Sequence, residues 1–149
     1  VSPKVSFLPV LLVIAACSQQ PAAPVTDAVV RLPAATGRPG AAYFTLHGGE
    51  TGRTLVSVSS PSAGRTEMHD MTMSDGMMTM TPLTNGVAIP AKGQVRFESG
   101  GKHVMLFDMK SGLKAGDAVQ LRFTFTNGET ASVSAKAEAP GGGDMHGGH

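Results

Sequence analysis

Tryptophan is absent from the 149 residues of this chain, tyrosine occurs once, and the one cysteine, Cys17, stands close to the N-terminus. A single thiol so placed leaves the body of the chain with no disulfide, no thiolate ligand and no thiol nucleophile. Structural zinc sites, blue-copper centres and binuclear copper centres, all of which depend on Cys thiolates, are excluded on that ground. Charge is thin as well. Lys and Arg number 12 against 11 Asp and Glu, a net of +1 carried by scattered single residues, so no basic stripe exists for a nucleic acid to follow. Also missing are a glycine-rich phosphate loop, paired carboxylates and any Ser/His/Asp arrangement in a recognisable context. These absences describe a binding protein and not an enzyme.

What the chain has in plenty is glycine, proline, valine and threonine, with 19 Gly and 10 Pro, a composition that favours an all-β domain with many turns. Its length suits one domain with attachments. The first attachment is N-terminal. Lys4 precedes an apolar run, Phe7–Ala16, that is too short for a stable membrane span, and Ile14-Ala15-Ala16-Cys17 closes it. Small residues leading into a Cys resemble the lipobox of bacterial lipoproteins. That resemblance implies a signal peptide over residues 1–16, lipidation of Cys17 as the first mature residue, and a periplasmic protein held to the envelope membrane. An ordinary signal peptide cleaved nearby, with Cys17 incidental, is the alternative. Residues 17–26 (CSQQPAAPVT) lack any apolar period and read as a flexible tether. The domain is expected over residues 27–138. From 139 to 149 (APGGGDMHGGH) the chain is too Gly-rich for a core, and this tail carries Met145, His146 and His149.

Inside the domain, short β-prone runs alternate with turn signals. Strands are predicted at Asp27–Leu32, Ala41–Leu46 and Thr54–Ser59, the last two joined by a hairpin-like His47–Gly52 segment, with His47 a solvated side chain. Leu55, Ser57 and Ser59 alternate with Val56 and Val58, as in a half-buried strand. Further strands follow at Glu67–Met73, Met77–Thr81, Val87–Ile89, Gln94–Glu98 and His103–Phe107, with a helical turn expected only near Ser111–Lys114. A last hairpin, Ala118–Thr126 with Thr130–Lys136, is drawn around a two-residue Asn127-Gly128 loop. Val119, Leu121, Phe123 and Phe125 should form its core face. About nine short strands with turns this regular indicate a β-sandwich or barrel.

The chemistry concentrates between Arg65 and Lys110, which holds eight of the nine methionines and two of the five histidines. His103 and Met105 flank Val104, so on a strand both leave from one face. His69 and Met80 have ten residues between them across a Ser74-Asp75-Gly76 turn signal. A two-residue loop at Ser74-Asp75 sets them directly opposite one another, and a bulge at Gly76 moves that register by one. Neutral, soft thioethers with imidazole select Cu(I) over Zn(II), Mg(II) or Mn(II). Lone methionines on strands are more often core, the reading for Met68, Met77 and Met109. Packing is also the first reading for Met71, Met73 and Met78, with the rim of a metal site or a transient hold on copper the second.

HDMTMSDGMMTM, AIPAKGQVRF and GGKHVMLFDMK, with SSPSAG upstream and GDAVQLRFTF downstream, resemble the PCuAC family of periplasmic copper chaperones over about Asp27 to Ala137. The family motif is a His, ten residues, a Met, twenty-one residues and then His-x-Met. Here the middle spacing is twenty-two, the surplus most simply in the Thr84-Asn85-Gly86 turn. The resemblance implies a cupredoxin-like Greek-key fold and one Cu(I) held by His69, Met80, His103 and Met105. It further implies delivery toward the copper centres of respiratory oxidases, with the apo copper subunit of cytochrome oxidase or another assembly chaperone as partner. An envelope copper buffer or resistance protein needs the same reversible site, and a purely structural lipoprotein would bind no metal. Imidazole and carboxylate in the tail suit Cu(II), so Met145, His146 and His149 form either a secondary copper site or a solvated end.

Overall fold

The computed structural model describes residues 2–4 and 23–141, and among these there are ten strands and no helix. The strands are β1 (Val25–Arg31), β2 (Gly40–His47), β3 (Arg53–Ser59), β4 (Arg65–Ser74), β5 (Met77–Pro82), β6 (Val87–Ile89), β7 (Gln94–Phe97), β8 (His103–Phe107), β9 (Ala118–Phe125) and β10 (Thr130–Glu138). They form one sheet in the order β5-β4-β8-β2-β1-β10-β9-β3-β6, with β7 beside β2. The sheet rolls on itself, because the Thr66 hydroxyl of β4 donates to the Val58 carbonyl of β3, strands far apart in that order. Rolling encloses the core that the alternating strands supply.

Phe44 is the centre of that core. Its ring stacks on Phe97 at 4.5 Å between centroids and meets Phe123 edge-on at 4.7 Å, the two arrangements favoured by the aromatic quadrupole. Val30, Ala42, Leu46, Leu55, Val104, Leu106, Val119 and Leu121 are fully buried around it. One edge of β2 serves two neighbours: Gly40–Ala42 pair with β8, and Phe44–His47 pair with β7. This bifurcation fixes β8, and through it β4, on the flank of the barrel.

Several expectations need correction. Residues 47–52 do not close a hairpin, since β2 and β3 lie in separate parts of the sheet. The loop packs on the Pro90–Gly93 turn instead, and a Cβ at Gly48 would lie 1.8 Å from the Pro90 carbonyl oxygen, so only glycine fits. His47 is half-buried and hydrogen-bonded to the Thr26 hydroxyl at 2.8 Å rather than solvated. In β3 a register shift between Leu55 and Ser57 turns both Leu55 and Val58 inward and leaves Val56 exposed. The loop of the last hairpin has three residues, Thr126-Asn127-Gly128, closed by Phe125 N–H to Glu129 O. That odd length sets Ala131, Val133 and Ala135 opposite Phe123, Leu121 and Val119, whereas a two-residue loop would have placed serines against the core face. β1 starts at Val25, inside the expected tether, because Val25 is itself buried. Ser111-Gly112 is a turn without a helix. The signal segment from residue 5, Cys17 and the tail residues Met145, His146 and His149 lie outside the described residues.

Candidate metal centre

The β4–β5 hairpin and β8 carry the residues singled out above. Asp75 and Gly76 form the hairpin loop, with φ of 50° and 77°, and Ser74 pairs with Met77 across it. Positive φ at both central residues is the type I′ turn, which favours Asp-Gly and twists with the strands. The loop is therefore one residue later than expected, and the register moves by two. His69 faces Pro82, and Met80 faces Met71. Direct opposition of His69 and Met80 is thus incorrect. Because the side-chain period is two, the shift keeps Met80 on the same face as His69, now diagonal to it.

On the other edge of β4, His69 pairs with His103 and Glu67 with Met105. Val104 and Leu106 enter the core, which turns His103 and Met105 to the opposite face. So His69, Met80, His103 and Met105 all leave from one face of β5-β4-β8. The imidazoles of His69 and His103 lie 5.9 Å apart and 18° from parallel, both only 9 % exposed. Met105 is half-buried, and Met80, on the edge strand, is 45 % exposed.

Each ring has one nitrogen engaged and one left over. His103 donates from Nδ1 to the Gly101 carbonyl at 2.9 Å, leaving Nε2 with its lone pair. His69 donates from Nε2 to Glu67 Oε2 at 2.9 Å, and its Nδ1 is buried with no hydrogen-bond partner. An orphaned buried acceptor is uncommon. A metal ion is one partner that would satisfy it. Glu67 also pairs with the Arg65 guanidinium, which lies 4.0 Å above the Phe107 ring. A carboxylate behind an imidazole fixes its tautomer and ring orientation. Sequence reading missed Glu67. Its signal was the period-two spacing Glu67-Met68-His69 on the strand that carries the histidine.

Among the described residues, no three His, Cys, Asp or Glu side chains gather into a metal-holding group. The side-chain donors that share the imidazoles' face are the thioethers of Met80 and Met105, a donor set that suits Cu(I). The other methionines divide unexpectedly. Met68 and Met109 pack on the core as expected, but Met77 is 71 % exposed, and Met73 and Met78 are exposed as well, at 67 % and 50 %. The turn displaces them from any packing role, since the hairpin beyond His69 projects past the barrel.

The rolled sheet is similar to that of solved PCuAC domains. It matches the "Apo PCuAC domain from PmoF1" with a TM-score of 0.62 at 24% identity, over 78% of this chain and 92% of that one, a likeness of fold. The solution structure of "CuI-DR1885" from Deinococcus radiodurans matches with a TM-score of 0.63 at 31% identity, over 83% of each chain. The architecture is thus that of a PCuAC-type, cupredoxin-like β-domain. Residues 24–137 match the family model described as "Putative lipoprotein LpqE-like", and the chain belongs to that family. Relatives include the "Putative lipoprotein Lxx21020" of Leifsonia xyli, 30% identical over 80 residues, and the "Uncharacterized protein RP573" of Rickettsia prowazekii, 33% identical over 97 residues. These alignments take in 54% and 64% of this chain and span about half of each relative's own length, 48% and 54%.

Proposed function

We propose that this protein is an envelope copper chaperone that binds one Cu(I) through His69, Met80, His103 and Met105 and delivers it to a copper centre of respiratory cytochrome oxidase. One observation carries the reading. Two buried, nearly parallel imidazoles each keep one lone pair free, and both lie on the face that presents Met80 and Met105. Likeness at 31% identity to a protein solved in a Cu(I) form supports it. The lipoprotein names of the family and of one relative support an anchor at Cys17.

Transfer follows from the uneven burial of the donors. Without a thiolate the site holds Cu(I) less firmly than a Cys-based acceptor would, so the ion moves downhill to such a centre. Met80, on an exposed edge strand, is the ligand that an incoming acceptor displaces first, while the buried histidines keep the ion until exchange is complete. The protein is a carrier of its cargo, and no bond in a substrate is made or broken.

The test is to mix the Cu(I)-loaded protein with an apo oxidase copper domain and to follow both by mass spectrometry. Movement of copper to the oxidase domain supports delivery. Retention by the loaded protein at equilibrium would make it a copper buffer instead.

A further inference from the structure

Of the five large hydrophobic side chains exposed among the described residues, four are methionines, and all four lie on the β4–β5 hairpin. Three of them form an ordered array with the half-buried Met71. Met71 pairs with Met80 and Met73 with Met78, while Thr72 pairs with Thr79 on the other face. Directly opposed residues share a face, and alternate residues along a strand return to it. Two cross-strand thioether pairs therefore stack outward from His69 on the face that carries both imidazoles. Opposed Cβ atoms are about 5 Å apart, and successive rows on one face about 7 Å apart, distances that flexible methionine side chains bridge.

Methionine also serves adaptable protein-docking surfaces, but these thioethers run in paired rows continuous with the imidazole face, where soft donors bear on copper. Thioether is a neutral soft donor, and on this face of the hairpin Met71, Met73, Met78 and Met80 alternate with no His, Asp or Glu beyond His69. Beyond the His69–His103 pair, the Met71 N–H bonds to the Gly101 carbonyl, so the residue beside Met71 in the direction of β8 is a glycine.

We propose that the hairpin tip is a second, weaker Cu(I) site formed by Met71, Met73 and Met78, and that copper reaches and leaves the histidine pair across it. The inference rests on the Cu(I)-carrier reading above. Met80 links the two sites, being opposite Met71 and diagonal to His69. A thioether-only set lacks imidazole and holds Cu(I) less tightly than the His/Met set, so an ion arriving at the tip moves inward by exchanging one ligand at a time. Copper stays Cu(I) throughout. No electron moves, and no proton is released, because thioethers carry none.

Methionine methyl NMR on the full chain, titrated anaerobically with Cu(I), tests this directly. The first equivalent is expected to shift the Met80 and Met105 methyls, and further Cu(I) to shift those of Met71, Met73 and Met78 together. Met77, on the opposite face, stays unmoved as an internal control. The double variant Met73→Leu/Met78→Leu conserves volume at exposed positions, so the fold is retained. In it the later shift of Met71 should vanish and removal of copper by a chelator should slow several-fold, with affinity for the first equivalent preserved. Unmoved Met73 and Met78 methyls in the presence of excess Cu(I), or a later Met71 shift that survives the double variant, would overturn the tip site while leaving the carrier reading intact. Failure of Met80 and Met105 to respond to any Cu(I) would instead defeat the carrier reading.

Discussion

Glu67 offers a sharp test of how the centre is organised, because it touches His69 and lies outside the proposed ligand set. Its Oε2 accepts from His69 Nε2 at 2.9 Å, and its side chain is 40% exposed against 11% for that of His69. Partners that orient a metal-binding imidazole are typically worth about 10–100-fold in metal affinity. Partial exposure of the carboxylate screens its charge and places Glu67→Gln near the lower end. Gln keeps a carbonyl acceptor for the Nε2–H and loses only the charge, so about ten-fold, or ~1.4 kcal/mol, is expected. Glu67→Ala loses the acceptor as well and should approach ~100-fold. Stability should hardly respond to Glu67→Gln, whereas Glu67→Ala leaves the buried His69 Nε2–H unpaired and should cost about 1–3 kcal/mol. The Arg65–Glu67 pair is exposed, and such pairs contribute about 0–1 kcal/mol. Competition for Cu(I) against a chromophoric chelator, with thermal unfolding of the apo protein in parallel, separates the two effects. The graded order wild type, Gln, Ala in affinity, with the melting temperature nearly constant between wild type and Gln, is the expected outcome. Equal affinity in all three proteins would refute the role given to Glu67 and the tautomer assigned to His69.

Other expectations follow from the same geometry. Met105→Leu conserves approximate volume and should fold normally, yet bind Cu(I) more weakly for want of one thioether. Should Met105→Leu and His103→Ala both leave affinity unchanged in the chelator assay, the site lies elsewhere. Phe44→Ala removes the ring shared by the stacked and edge-on contacts and should cost about 3–5 kcal/mol in chemical denaturation. A loss below ~1 kcal/mol would mean that the core is organised around another residue. Deletion of Gly141–His149 should abolish a weak Cu(II) paramagnetic resonance signal that fades as pH falls below about 6.5, where free imidazole protonates. It should leave Cu(I) affinity unchanged. An identical Cu(II) spectrum in the truncated protein would make the tail a solvated end.

The fold was legible where one strand face carries a long periodic signal. Val119, Leu121, Phe123 and Phe125 announce β9 and are all buried, because nothing local competes with their alternation. Connections were less legible. Whether residues 47–52 make a hairpin depends on Gly48 closing against Pro90, a contact with a distant turn that no local pattern encodes. Loop lengths failed in a related way. Asn127-Gly128 and Ser74-Asp75-Gly76 mark turns reliably, but a one-residue choice of loop boundary sets the register, and the pairing of core faces makes that choice. At the candidate centre, the shared face of His103 and Met105 follows from period two alone. The stacking of His69 on His103 does not, since it requires β8 to insert between β4 and β2, strands distant from it in sequence. Exposure of Met73, Met77 and Met78 was likewise hidden, because methionine in a strand pattern reads as core until the barrel's edge is known.

The central claim is that soft sulfur and imidazole nitrogen share one copper ion, and X-ray absorption at the copper edge measures that directly. With one equivalent of Cu(I) on the full chain, the account predicts a mixed shell of nitrogen and sulfur neighbours. It further predicts an imidazole scattering signature that diminishes in His103→Ala, and a sulfur contribution that diminishes in Met105→Leu. The loaded protein should be colourless, since no thiolate is present to give a sulfur-to-copper charge-transfer band. A spectrum fitted by oxygen and nitrogen neighbours alone, with no sulfur shell, would contradict the account.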